Sequence, residues 1–344
     1  MDTVTARLLN EFQRGFPLVP RPFAAIAERL GAREPDVRAR LGSLVADGTV
    51  SRVGLTFAPG RIGAATLAAM AVPAQRLQEV AALVSAFPEV NHNYEREHAY
   101  NLWFVVTAPA AQRVEAVVRG IERAAACGRV LSLPMVEPYH VDLGFDLEGG
   151  GVEAPRHAAR GRAEGRVTLS APERALAAAL EDGLPLSEQP YAEIGRRAGM
   201  PEPEVLATLA RWLDAGIANR LGVIVRHRPL GFRANAMVVW DVPDPEARAV
   251  GERVAGWPEV SLCYRRERLL PAWRYNLYCM IHGRSRVHVL AQIAAMDARL
   301  DLVKYPYEVL FSKRCFKQRG ARYVTGGERS SREAEAAGLE AQHG

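Results

Sequence analysis

Apolar residues along this chain switch between two spacings, and the switches come in a fixed order. Residues 4–13 are apolar at helical spacing, and a proline-marked turn, Gly15–Pro22, follows. Pro22 leads into a helix that ends near Gly31, where glycine suits a C-cap. Glu34 to Ala46 puts Val37, Leu41 and Leu44 on one face and stops at Asp47-Gly48. Val50–Phe57 reads as a short hairpin. Helix, helix, turn, helix and wing is the order of a winged helix-turn-helix. Then Ala65–Val72 reads as a strand and Gln75–Phe87 as a helix. Val90–Glu97 and Tyr100–Thr107 read as two antiparallel strands, Ala111–Cys127 as a helix and Val130–Val141 as a last strand. That βαββαβ order is the ferredoxin-like split motif.

The whole series occurs twice. Gly15-Phe16-Pro17-Leu18 aligns on Gly183-Leu184-Pro185-Leu186, 168 residues later. At the same separation Gly31 meets Gly199, Gly48 meets Gly216, Arg52 meets Arg220 and Gly54 meets Gly222. Pro88-Glu89-Val90 meets Pro258-Glu259-Val260 at a separation of 170, and an insertion, Leu269–Arg274, follows. Near the end, Tyr139-His140 falls on Phe316-Lys317. Chance does not align so many glycines and prolines, so the chain is two tandem copies of one module. The expected fold is α+β, a tandem repeat of winged helix-turn-helix plus ferredoxin-like domain. The winged helices are placed at residues 1–60 and 169–228 and the ferredoxin-like domains at 61–147 and 229–325. Residues 148–168, rich in Gly, Ala and Arg without apolar period, read as a linker. The polar tail 326–344 reads as disordered.

At 344 residues, about half apolar, the chain is long enough for two such modules with real cores. No apolar run approaches the roughly 20 residues of a membrane span. The N-terminus, MDTVTARLLNEF, lacks the order of a signal peptide, so a cytoplasmic location is expected. Cys127, Cys263, Cys279 and Cys315 form no CxxC pair, and no metal site of the protein's own is expected. The net charge of +5 comes mostly from arginine, which forms paired hydrogen bonds to carboxylates and phosphates.

The stretch Val90–Val106, VNHNYEREHAYNLWFVV, gathers histidine, tyrosine, arginine and glutamate just before an apolar strand. Its copy, Val260–Ile281, has Leu262 in place of His92 and an arginine-rich insertion around Arg268. A winged helix followed by βαββαβ resembles the Lrp/AsnC regulator architecture, whose second domain binds small ligands. The segments 15–27, 92–104 and 137–147 are similar to one subunit type of the siroheme decarboxylase family. Segments 263–283 and 313–323 are similar to the partner type. The resemblance implies a fusion of the two subunits, acting as an internal pseudo-dimer. It implies loss of two carbon dioxide molecules from the C12 and C18 acetates of siroheme, giving 12,18-didecarboxysiroheme in heme d1 biosynthesis.

Siroheme is an apolar iron macrocycle edged by carboxylates, so its site needs aromatic walls and cationic donors. Tyr94, Tyr100, Trp103, Tyr264, Trp273 and Tyr275 are the candidate walls. Arg96, Arg265, Arg266, Arg268, Arg274 and Lys317 are the candidate carboxylate donors, with Asn101 beside them. Strand alternation puts His92, Tyr94, Arg96 and His98 on one face. Protonation after carbon dioxide leaves calls for a group active near neutral pH, and His98 and His140 are the expected catalytic pair. His92 is expected to contact a carboxylate or ligate iron. The macrocycle can hold the developing charge, so no cofactor beyond the substrate's own iron is expected.

The rival readings are a DNA-binding regulator and a heme sensor. The candidate recognition helices open on Glu34 and Asp36 and on Glu202 and Glu204. Acidic N-termini would repel phosphates, so both winged helices read as scaffold and no DNA partner is expected. Two unequal modules also suit an internal pair better than a palindromic operator, and a further homodimer is left open.

Overall fold

The computed structural model describes residues 2–141, 165–226 and 229–324. Residues 148–164 of the expected linker and the tail 326–344 lie outside the described residues. The first module runs α1 (Thr3–Glu11), α2 (Pro22–Leu30), α3 (Glu34–Ala46), β1 (Val50–Phe57), β2 (Ala64–Met70), α4 (Leu77–Ala86), β3 (Val90–Arg96), β4 (Leu102–Ala108), α5 (Ala111–Ala125) and β5 (Leu131–Val141). The second runs α6 (Ala171–Leu180), α7 (Pro190–Ala198), α8 (Glu202–Asp214), β6 (Ala218–Val225), β7 (Ala234–Trp240), α9 (Asp244–Ala255), β8 (Val260–Arg266), β9 (Leu277–Gly283), α10 (Arg286–Leu300) and β10 (Tyr307–Gln318).

These elements sort into two compact units, residues 1–62 with 144–230 and residues 63–143 with 231–344. The first unit holds both winged helices. Pro22 starts α2 and Gly31 ends it in the left-handed conformation at φ +63°. Val50–Phe57 is not a hairpin. It is one strand, paired antiparallel with β6, with Gly54 opposite Gly222. These glycines serve close packing: a side chain at Gly54 would meet the Gly183 backbone at 3.2 Å, and one at Gly222 would run into the Gln13 carbonyl.

The second unit holds both ferredoxin-like domains. Each domain's last strand is long and serves two sheets. β5 pairs first with β2, Thr66 opposite Pro134, and then with β8, from Met135 opposite Arg266 to Val141 opposite Leu262. β10 pairs first with β7 and then with β3, Ser312 opposite Arg96. The exchange closes a barrel of eight strands in the order β10-β3-β4-β2-β5-β8-β9-β7. Strand alternation divides the apolar side chains. Leu102, Phe104 and Val106 face α4 and α5, while Trp103 and Val105 face inward. Leu277, Cys279 and Ile281 likewise face α9 and α10, while Tyr278 and Met280 face inward. Burial on both faces is why these strands read as unbroken apolar runs. Among the described residues no helix is long and apolar enough to cross a membrane.

Candidate functional site

Strand β3 separates two kinds of polar residue. Asn93 and Glu95 point to the helices: Asn93 Nδ2 donates to the Ala81 carbonyl at 3.0 Å, and Glu95 accepts from Arg314 Nε at 2.5 Å. His92, Tyr94 and Arg96 share the other face. The His92 and Tyr94 ring centres are 6.2 Å apart, and the Arg96 guanidinium lies 5.8 Å from the Tyr94 ring. The second module repeats this with Leu262, Tyr264 and Arg266, whose guanidinium lies 4.5 Å from the Tyr264 ring.

Both arginines are buried and brace the partner module. Arg96 Nη1 donates to the Leu310 carbonyl of β10 at 3.0 Å. Arg266 Nη1 donates to the Leu133 carbonyl of β5 at 2.6 Å. The two braces are related by the repeat, and each ties a module to the strand its partner lends. The asymmetry lies at His92. Burial, and then the charge of Arg96, push its imidazole down to about 4, so it is neutral at neutral pH. Leu262, in the matching place, simply packs against the interior apolar cluster.

His98 lies just past the end of β3. Its Nδ1 accepts the Tyr100 backbone N–H at 2.9 Å, which leaves Nε2 to carry the proton. The imidazole stacks on Tyr100 at 6.0 Å and meets the edge of Trp273 at 5.4 Å. Burial lowers its pKa, and the nearby Glu308 carboxylate opposes that. Trp273 comes from the second module's insertion. It is buried, lies 5.1 Å from Trp103 and 5.0 Å from Tyr275, and donates Nε1–H to the Tyr278 hydroxyl at 2.6 Å. Trp103 Nε1 donates to the Tyr100 carbonyl at 2.6 Å. His98, Tyr100, Trp103, Trp273 and Tyr275 thus form one ring-lined lip, built by both modules.

Other candidates are turned to other partners. Asn101 exchanges two bonds with the Val72 backbone, at 2.9 and 2.8 Å. Its repeat, Asn276, does the same to Val242 at 3.0 and 2.9 Å. The shared Tyr-Asn-Leu motif is therefore explained by a clamp on the chain that leaves β2 or β7. Arg268 is held by Asp241 at 2.9 Å and Asp244 at 2.6 Å, and Arg274 by Asp241 at 2.7 Å. Lys317 Nζ donates to the Ser85 and Phe87 carbonyls at 2.5 and 3.0 Å, capping α4 on the helix side. Arg265 stands opposite Glu137, near Tyr139. The structure does not bring His140 to His98. His140 lies opposite Cys263, three positions before Arg266, whereas His98 packs on the insertion after Arg266.

Asp241, Tyr278 and Glu308 take part in this region and escaped the sequence reading. A signal for Asp241 was present: Asp241-Val242-Pro243 aligns on Ala71-Val72-Pro73, so the acid enters the same module as the extra arginines. Two surface crevices flank α9, lined by Asp241, Glu246, Arg268 and Lys304 and by Glu252 and Arg253 with their neighbours; neither includes His92 or His98. Among the described residues no cluster of three or more His, Cys, Asp or Glu side chains could hold a metal ion.

Residues 61–140 and 229–317 match the AsnC-like ligand binding domain. Residues 5–50 and 173–218 match the siroheme decarboxylase NirDL-like HTH domain. The siroheme decarboxylase NirDL subunit of Paracoccus denitrificans (strain Pd 1222) is 47% identical over 323 residues, 93% of this chain and 97% of that one. In Stutzerimonas stutzeri the similar proteins are separate: a NirD subunit, 49% identical over 43% of this chain and 96% of its own, and a NirL subunit, 45% identical over 42% of this chain and 85% of its own. A crystal structure of the siroheme decarboxylase NirDL superposes with a TM-score of 0.69 at 29% identity, covering 98% of this chain and all of that one. A crystal structure of the siroheme decarboxylase NirDL in co-complex with an iron-uroporphyrin III analogue gives 0.68 at 29% identity, covering 97% and 99%. Motif, module order, barrel and full-length likeness agree, and the chain belongs to the siroheme decarboxylase family in its fused, two-module form.

Proposed function

We infer that this protein is a carboxy-lyase that converts siroheme to 12,18-didecarboxysiroheme on the route to heme d1. The observation that carries this reading is the two-module lip. It holds an imidazole in one tautomer among aromatic rings, in a chain that is family-like over 93% of its length. The rings supply flat apolar walls for a macrocycle, and Arg96 and Arg266 set positive charge beside Tyr94 and Tyr264.

In each step the bond between an acetate methylene and its carboxylate breaks and carbon dioxide leaves. The electron pair passes to the methylene carbon and the conjugated ring, and one proton from outside converts the methylene to a methyl group. His98 is the proton-transfer group in this reading and acts at Nε2, the nitrogen that the Tyr100 N–H leaves open, passing on a proton taken up from solvent. His92 is neutral and suits an iron ligand better than a carboxylate clamp. His140 is the second proton-transfer group on sequence grounds, reached from β5. The macrocycle is the electron sink, so the protein adds no cofactor, and the iron arrives with the substrate.

The winged helices are scaffold in this reading. Arg38 of α3 is ion-paired with Glu188 at 3.4 Å, Arg40 with Asp2 at 3.2 Å, and Arg211 of α8 with Glu173 at 2.7 Å. Side chains so held are poorly placed to grip phosphates. The protein works in the cytoplasm as an internal pseudo-dimer. Anaerobic incubation with siroheme, followed by product mass, tests the whole proposal. Loss of two carbon dioxide units is expected; tight binding without any mass loss would instead leave a tetrapyrrole sensor or carrier.

A further inference from the structure

The insertion Leu269–Arg274 has no counterpart in the first module. Its turn is fixed by Leu269 and Trp273, whose backbones exchange two hydrogen bonds of 2.8 Å. Its flanks converge on one carboxylate. Asp241 Oδ1 accepts from Arg268 Nε at 3.1 Å and Nη2 at 2.9 Å, and Oδ2 accepts from Arg274 Nε at 2.7 Å. Arg268 also donates to the Arg274 carbonyl at 2.8 Å, joining the two flanks directly. Asp241 and Arg268 side chains are each 19% exposed, so this pairing is better shielded from water than an ordinary surface ion pair. What the anchored turn presents is Trp273, edge-on to His98. The first module has Ala71 in the place of Asp241 and lacks the insertion.

We propose that Asp241 is a positioning residue for the decarboxylation. By tying both flanks of the insertion, it holds Trp273 against the His98 imidazole and so keeps Nε2–H in one orientation. The inference rests on the reading of His98 as proton donor. It adds that the module without the catalytic histidine supplies the part that aims it.

The test uses the full chain with siroheme under anaerobic conditions. Asp241→Ala is expected to lower kcat by about 10- to 100-fold, the scale on which small misplacements of a reacting group act. KM and the substrate's absorbance shift on binding should change little. As the tryptophan cover loosens, the limb of the pH–rate profile that belongs to His98 should move up towards the ordinary imidazole range. Glu308, Tyr100, Tyr275 and Tyr278, the other titratable groups at this lip, are unaltered in the variant. Asp241→Asn, which keeps hydrogen-bonding capacity without the charge, should fall between the variant and the parent. Trp273→Phe covers the case in which Asp241→Ala fails to fold, and it too should lower kcat and move the limb. Parental kcat and an unmoved limb in the folded variants would overturn the proposal. His98→Gln, run in parallel, separates the layers. If His98→Gln keeps full turnover, the reading of His98 has failed. If it is inactive while Asp241→Ala and Trp273→Phe behave as the parent, the positioning role alone has failed.

Discussion

Asn101 and Asn276 each close a two-bond clamp on a valine backbone, and removing either side chain leaves an N–H and a C=O without that partner. Each Asn→Ala change should cost about 1–3 kcal/mol in urea denaturation. A substrate contact would instead weaken siroheme binding at unchanged stability, so binding titrations of the same variants decide the point. His92 gives a second test. Its folded-state pKa, about 4, lies below the ordinary imidazole value of 6.5. The unfolded chain therefore takes up a proton first as pH falls. The stability held by neutral His92 is complete above about 6.5 and is lost as pH drops towards 4. His92→Leu, which copies Leu262, should flatten that acid limb by on the order of 1–3 kcal/mol. At this scale the sequence was legible where alternation decides, as for His92, Tyr94 and Arg96. It was not legible where a side chain's partner lies far along the chain. Arg268 and Arg274 looked like substrate donors because nothing nearby in sequence announces Asp241 as their acceptor.

Among the elements, nearly every helix and strand of the ferredoxin-like domains was readable, because apolar period and flanking glycine or proline agree there. The wing was not. Val50–Phe57 reads as a hairpin, yet the segment stays extended because its partner strand comes from the other winged helix. Gly222→Ala should therefore destabilise the β1–β6 pair by about 1–3 kcal/mol, since the added methyl meets the Gln13 carbonyl. Differential scanning calorimetry should show a lowered transition, with turnover kept at low temperature. An unchanged transition would mean that the strand pair is looser than described. The long β5 and β10 teach the same lesson. Their outer halves read as strand, but only the fold reveals that those halves belong to the other module's sheet.

For the whole molecule, the modules are joined by three backbone ladders, β1–β6, β5–β8 and β10–β3, and by two arginine braces. A protease site placed within residues 148–164 should thus yield two fragments that elute together and keep full turnover. Separation of the fragments on gel filtration would show that the covalent connection is needed. The repeat itself was legible from the aligned glycines and prolines. Strand lending has one more consequence. A module whose edge is already filled offers no edge to a second copy of itself. On separate polypeptides, uneven synthesis would leave surplus halves with open edges, exposed to mispairing and degradation. On one polypeptide each ribosome delivers the halves in equal number and at high local concentration. Dosage is then set by translation alone, and the two copies are free to diverge in sequence so long as each keeps the strand its neighbour needs.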